Sequence, residues 1–216
     1  ATFEFPHLMR MIEETQFDTI YHEHYSYLSL SAVNRILQQA GLEIFDVEEI
    51  PTHGGSLRVY AQKRAAGRQA RTPTVDSLLQ RESEAGMGSR SFYEGFQAKA
   101  DRIKNNFLSF LLQMKQEGKK VAGYGAAAKG NTLLNYAGVK RDLLTYVCDA
   151  APSKQGKYLP GSRIPILPPG ALAEDRPDII VILPWNIAEE IVRQHGYVRQ
   201  WGGRFAIAIP KMEIFP

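Results

Sequence analysis

Five consecutive apolar residues, Ile179 to Leu183, stand directly after Pro177-Asp178. A strand without alternation has no face to give to water, so it must be covered on both sides. A parallel sheet between two layers of helix provides that cover, and the surrounding sequence has the required alternation of strand and helix. Val121 to Tyr124 reads as a short strand, Lys129 to Ala137 as a helix ending near Gly138, and Leu144 to Cys148 as a strand closed by Asp149. Ile187 to Gln194 reads as a helix and Phe205 to Ile209 as a last strand. The expected fold class is therefore α/β, with a Rossmann-like, doubly wound parallel sheet over residues 119–216.

Upstream the pattern differs. Residues 1–6 alternate in the manner of a strand and open without an initiator Met, as the chain would if it began in the middle of a domain. The Ser29-Leu-Ser31 stretch offers an N-cap to a helix with Val33, Ile36, Leu37 and Ala40 at helical spacing and Gly41 as its stop. Leu42 to Ile50 and Ser56 to Gln62 read as two strands around a Pro51–Gly55 turn, with Leu57, Val59 and Ala61 sharing one face. Residues 1–64 are thus expected to form one unit. Residues 65–118 read as a linker and a helical connector: a basic loop to Thr74, a short helix carrying Val75, Leu78 and Leu79, and a break at Gly86-Met-Gly88. A long helix follows, with Phe92, Phe96, Ile103, Phe107, Phe110, Leu111 and Met114 on a packing stripe.

Net charge is +3 without a dense Lys/Arg block, which gives no reason to expect nucleic acid but suits a small acidic ligand such as a phosphate ester. One cysteine, Cys148, excludes an internal disulfide and a Cys-rich zinc site in this sequence, and suits a reducing cytoplasm. No apolar run approaches the roughly 20 residues of a membrane span. A cytoplasmic α/β protein is expected.

Four groups of residues could carry chemistry. Tyr21-His22-Glu23-His24-Tyr25 packs five polar or ionisable side chains together, which is costly to bury without partners. It could serve proton transfer, with a neutral His as base and a carboxylate or phenol to orient it. It could bind a metal through His22 and His24 with His7 or His53 as third ligand, or it could be a cluster without chemistry. Thr52-His53-Gly54-Gly55-Ser56 lets backbone amides approach a ligand, as a hairpin turn would also require. Gly123-Tyr-Gly125-Ala126-Ala-Ala-Lys129-Gly130-Asn131 follows a strand and opens a helix, where free amides and the helix dipole favour an anion. It departs from the dinucleotide fingerprint at Ala128, and Asp149 lies where a ribose-binding acid belongs. Asp149 to Gly161, with Lys154 and Tyr158, and the Pro184-Trp185-Asn186 loop fall at the carboxyl ends of strands, where open α/β sheets bind ligands.

Phe17-Asp-Thr-Ile-Tyr-His-Glu-His-Tyr-Ser-Tyr27, His53-Gly-Gly-Ser-Leu-Arg58, the Gly123–Gly130 loop and Pro184-Trp-Asn186 together resemble the S-adenosylmethionine-dependent sugar C-methyltransferases. These act on nucleotide-linked 4-keto-deoxysugars. The resemblance implies that residues 1–64 are the tail of the methyltransferase domain and that the rest is the family's C-terminal domain. It implies a reaction in which a proton beside the C4 ketone leaves C3 and the enolate takes the methyl group. His24 is then the base, Tyr21 an alternative base or enolate donor, and Glu23 the orienter. Gly123, Gly125, Ala126, Lys129, Asn131, Asp149, Lys154, Tyr158, Trp185 and Asn186 are expected around the nucleotide diphosphate, the placement at Gly125–Lys129 resting on the loop physics. The family's zinc cysteines and S-adenosylmethionine loop have no counterpart here. The resemblance therefore implies zinc and most of the donor site outside this sequence, and no activity for this polypeptide alone. The competing reading is a nucleotide- or NAD-binding Rossmann module without methyltransferase activity, which gives Tyr21–Tyr25 no role.

Overall fold

The computed structural model describes residues 1–215, which form two units. Ala1–Gln16 and His24–Gln97 make the first; Phe17–Glu23 and the chain from Ala98 onward make the second.

The first unit is built on β1 (Thr2–Pro6), α1 (Leu8–Glu13), α2 (Leu30–Gln39), β2 (Leu42–Ile50), β3 (Ser56–Lys63) and α3 (Pro73–Glu84). The expected hairpin is present, and β1 joins it to make an antiparallel sheet in the order β1-β3-β2. Period-two alternation sends Leu57, Val59 and Ala61 inward, where they meet Leu30, Val33 and Leu37 of α2 and Val75 and Leu78 of α3. The Ser29 hydroxyl accepts the Ala32 amide at 3.0 Å and starts α2. Gly41, at φ +73°, takes the left-handed conformation that ends it. Ile36 falls off the buried stripe and is 54% exposed. The helices of the expected 65–118 connector divide between the units: α3 seals the first unit's core, whereas α4 (Phe96–Gln116) runs with the second from Ala98 on. Phe92 sits in a separate 3₁₀ turn ahead of α4.

The second unit continues through β4 (Val121–Tyr124), α5 (Ala128–Tyr136), β5 (Val147–Cys148), β6 (Ile166–Leu167), α6 (Ala171–Asp175), β7 (Ile179–Ile182), α7 (Ala188–Gln194), β8 (Arg204–Ile207) and β9 (Glu213–Phe215). Its sheet has the order β6-β5-β4-β7-β8-β9, parallel except for β9, which runs antiparallel to β8. Counted from β4, that is the 3-2-1-4-5-6 order of dinucleotide-binding sheets. The fold is Rossmann-like α/β, as the sequence predicts. Every residue of β4 and β7 is buried. Ala122, Tyr124, Ile180 and Ile182 share a core with Leu172 of α6 and Ala188 and Ile191 of α7. The alternate residues Val121, Gly123, Ile179 and Val181 point to the opposite face. β5 is shorter than expected, and β6 and β9 lie outside the expected set because strands of two or three residues leave too short a hydrophobic pattern to read. The order of strands reverses between β4 and β7, so the loops after these two strands flank the crevice where such sheets take ligands.

Candidate functional site

The loop after β4 is held from within. Gly125 donates its amide to Cys148 O at 2.7 Å, Ala126 to Asp149 Oδ2 at 2.7 Å, and Ala127 to Gly125 O at 2.9 Å. Gly125 is at φ +91°, and a Cβ there would stand 2.4 Å from Pro184 Cδ, so neither the conformation nor the space admits a side chain. A Cβ on Gly130 would lie 2.7 Å from Leu183 Cβ; the close helix-to-strand approach that the fingerprint's third glycine serves falls here two residues later than Ala128. Asp149 accepts from Ala126, from the Ala151 amide at 2.8 Å and from Lys154 Nζ at 3.2 Å. It braces the two loops around it. The amides of Gly125, Ala126 and Ala127 and the acid of Asp149 are thus engaged inside the unit.

The crevice between these loops is filled by the chain itself. The 3₁₀ turn Phe17–Thr19 packs against α5, and Phe17 meets Tyr136 edge-on with ring centroids 5.3 Å apart. Asp18, 1% exposed, accepts a hydrogen bond from Trp185 Nε1 at 2.7 Å. Lys129, also buried, lies 4.5 Å above the Trp185 ring and donates to Asn186 Oδ1 at 3.1 Å. Asp18 Oδ1 is buried and accepts no hydrogen bond. Burial pushes the Asp18 carboxyl from its ordinary 3.8 up to about 6, against the pull of the Trp185 hydrogen bond and the Lys129 charge. Burial also pulls the Lys129 ammonium down, and Asp18 only partly offsets it. Each of these charged groups is less comfortable here than in water, as is common for buried charges.

This sets a pH dependence. A folded carboxyl with a raised pKa holds its proton where the unfolded chain has lost it, so on this group alone stability falls as pH rises from about 4 to about 6. The loss is about 3 kcal/mol. Trp185 and Trp201 both lie in the second unit, so tryptophan-monitored denaturation reads it. Asp18→Asn is expected to abolish that slope. An unchanged slope would mean that Asp18 titrates as an ordinary surface acid.

The Tyr21–Tyr25 run follows the turn directly. Its backbone leaves the turn through the Tyr21 amide, which donates to Thr19 O at 3.1 Å. Tyr21 and Glu23 belong to the second unit and His24 to the first. His22 and Glu23 are exposed and 3.9 Å apart, Tyr25 is 94% exposed, and His24 packs edge-on against Tyr27 at 6.4 Å. His7, a considered metal ligand, is buried and bonded to Glu82 at 2.9 Å. Among the described residues no group of three His, Cys, Asp or Glu side chains could hold a metal ion.

Of the other expected contacts, the structure gathers Gly123, Gly125, Ala126, Lys129, Asp149, Lys154, Trp185 and Asn186 about the carboxyl ends of β4, β5 and β7. Asn131 faces along α5, bonded to Asn135 at 3.2 Å, and Tyr158 stands apart with 64% of its surface exposed. His53, at φ +57°, lies in the first unit's hairpin, whose Gly54 and Gly55 help line a cavity of about 400 Å³ with Arg10, Glu14 and Glu49. Sequence reasoning missed Asp18. Its bond to Trp185 spans 167 positions, and no spacing signals such a partner. Among the described residues no helix is long and apolar enough to cross a membrane.

Comparison with known proteins bears on this arrangement. A family model described as the C-methyltransferase C-terminal domain matches residues 51–210. The chain is 37% identical over 211 residues to C-methyltransferase NovU of Streptomyces niveus, an alignment covering 98% of this chain and 50% of that protein. The chain thus spans about half the length of the curated relative it matches.

Proposed function

We propose, from the premise that this chain belongs to the C-methyltransferase family, that it is the substrate-side portion of an enzyme methylating a carbon of a nucleotide-diphosphate-linked 4-keto-deoxysugar. The observation that carries the reading is the Tyr21-His22-Glu23-His24-Tyr25 run. Methylation at carbon beside a ketone begins with removal of a proton, and that step needs a base near neutral pKa and a donor for the enolate oxygen. His24 takes the proton from C3, Tyr21 donates to the oxygen that was the C4 ketone or serves as the alternative base, and Glu23 orients them. A Rossmann module that only bound a nucleotide would have no use for such a run.

S-adenosylmethionine supplies the electrophilic methyl group in this reading. The residues here do not fit as its site: the loop after β4 has the amides of Gly125, Ala126 and Ala127 bonded internally and its lysine buried. None is assigned to the donor, and for the same reason the sugar nucleotide's diphosphate is not assigned to Lys129. Tyr158, with its exposed ring, is the second unit's proposed contact for the base, since aromatic faces stack on bases without sequence demand.

The test is methyl transfer by the full-length enzyme that contains this chain. Supplied with methyl-labelled S-adenosylmethionine and a panel of nucleoside-diphosphate-linked 4-keto-6-deoxyhexoses, it is expected to give a product labelled on carbon, with the ketone retained. Label on oxygen or nitrogen, or none across the panel, would refute the reading.

A further inference from the structure

In the second unit, the ligand-binding place of an open α/β sheet holds part of the same chain. The carboxyl ends of β4 and β7 flank the reversal of strand order, and the Phe17–Thr19 turn lies among the residues that follow them. Two contacts fix it: Trp185 Nε1 on Asp18 at 2.7 Å and the Phe17 ring against Tyr136. Lys129 is itself locked by Asn186 and the Trp185 ring. A turn needed only for packing would be held more cheaply by apolar side chains, because a buried carboxylate rarely repays its desolvation. What the polar arrangement adds is a defined geometry for the backbone that continues, within three residues, into Tyr21.

We propose that Asp18 is a positioning residue for methyl transfer: Trp185 holds its carboxylate at the switch point of the sheet and so fixes the Tyr21–Glu23 end of the catalytic run. Asp18 touches no substrate; it acts through the backbone from Thr19 to Tyr21. The crevice serves as a socket for the chain. The inference rests on the assignment of Tyr21–His24 to catalysis given above.

Two variants test it. Trp185→Phe removes the donor to Asp18 while keeping a ring beneath Lys129, and Asp18→Ala removes the acceptor itself. In the 216-residue chain, amide hydrogen exchange over residues 17–23 is expected to speed up roughly tenfold or more, with β4 and β7 still protected. In the full-length enzyme, kcat with the 4-keto-6-deoxyhexose panel is expected to fall about 10- to 100-fold, the range that small misplacements produce, with KM within about twofold. Unchanged kcat despite faster exchange at 17–23 would overturn the proposal. So would a rise in KM alone, which would return the crevice to substrate binding, or loss of protection across the whole sheet in both variants, which would leave Asp18 a structural role only. Failure of the parent enzyme to methylate any member of the panel would sink the functional reading instead, and the exchange result would still report on the socket.

Discussion

His24→Ala in the full-length enzyme is expected to lower turnover by about 10²–10⁴-fold, the usual loss for a missing general base, with KM for the sugar nucleotide changed little. In the proposed mechanism the imidazole takes its proton on the way from the ground state to the enolate, so removing it raises the barrier without removing ground-state binding. The side chain is partly exposed and packs edge-on against Tyr27, so its loss leaves no deep cavity to confuse the kinetics with unfolding. Steady-state kcat and KM together decide the matter. A loss confined to KM would make His24 a substrate contact, and an unchanged kcat would pass the base to Tyr21.

The largest expected effect on stability lies in the first unit, at Glu82. This carboxylate, buried on α3, accepts from His7 Nε2 at 2.9 Å, from the Leu30 amide at 2.6 Å, from the Ser31 amide at 2.8 Å and from the Ser31 hydroxyl. Two of those donors are otherwise unpaired amides at the start of α2, so one acid joins the strand-to-α1 junction, α2 and α3. Burial alone would push its carboxyl up, but the hydrogen bonds from His7, Ser31 and Leu30 hold it below the ordinary glutamate value. Glu82→Ala leaves these donors buried without an acceptor and is expected to cost about 3–5 kcal/mol. Glu82→Gln, which keeps the shape but offers a donor where acceptors are needed, is expected to lose about 1–3 kcal/mol. Because the folded pKa is depressed, this contribution is present above the unfolded glutamate's pKa and is lost as pH falls through the folded value. Exchange of β2 and β3 amides in rising denaturant reads the first unit alone. A loss below about 1 kcal/mol for Glu82→Ala would show that water or a rearranged α2 replaces the acid.

What the sequence disclosed follows from the range of the forces involved. The apolar run Ile179–Leu183 and the Ser29 and Gly41 helix signals act within a turn or a strand, and each forms the element it predicts. The parallel sheet was legible because strands buried on both faces cannot alternate. The strand order, the two-residue β6 and the antiparallel β9 are settled by pairing between distant segments, which leaves no local pattern. The same limit governs the site. Gly123–Gly130 was visible as a loop between strand and helix, but the bonds that occupy its amides come from Asp149 and from the loop itself. Lys129 reads as the charge of a diphosphate cradle on a strand-to-helix loop. Only the fold puts Asp18, Trp185 and Asn186 around it.

The most direct test of the account is exchange of the substrate proton beside the ketone. The full-length enzyme, incubated in deuterium oxide with a nucleoside-diphosphate-linked 4-keto-6-deoxyhexose that it methylates, is expected to place deuterium at C3 faster than solvent alone. Proton nuclear magnetic resonance follows the loss of that signal, and His24→Ala should slow it in step with turnover. An enzyme that methylates this sugar while its C3 proton never exchanges in unreacted substrate, and whose His24→Ala variant keeps full turnover, would contradict the account.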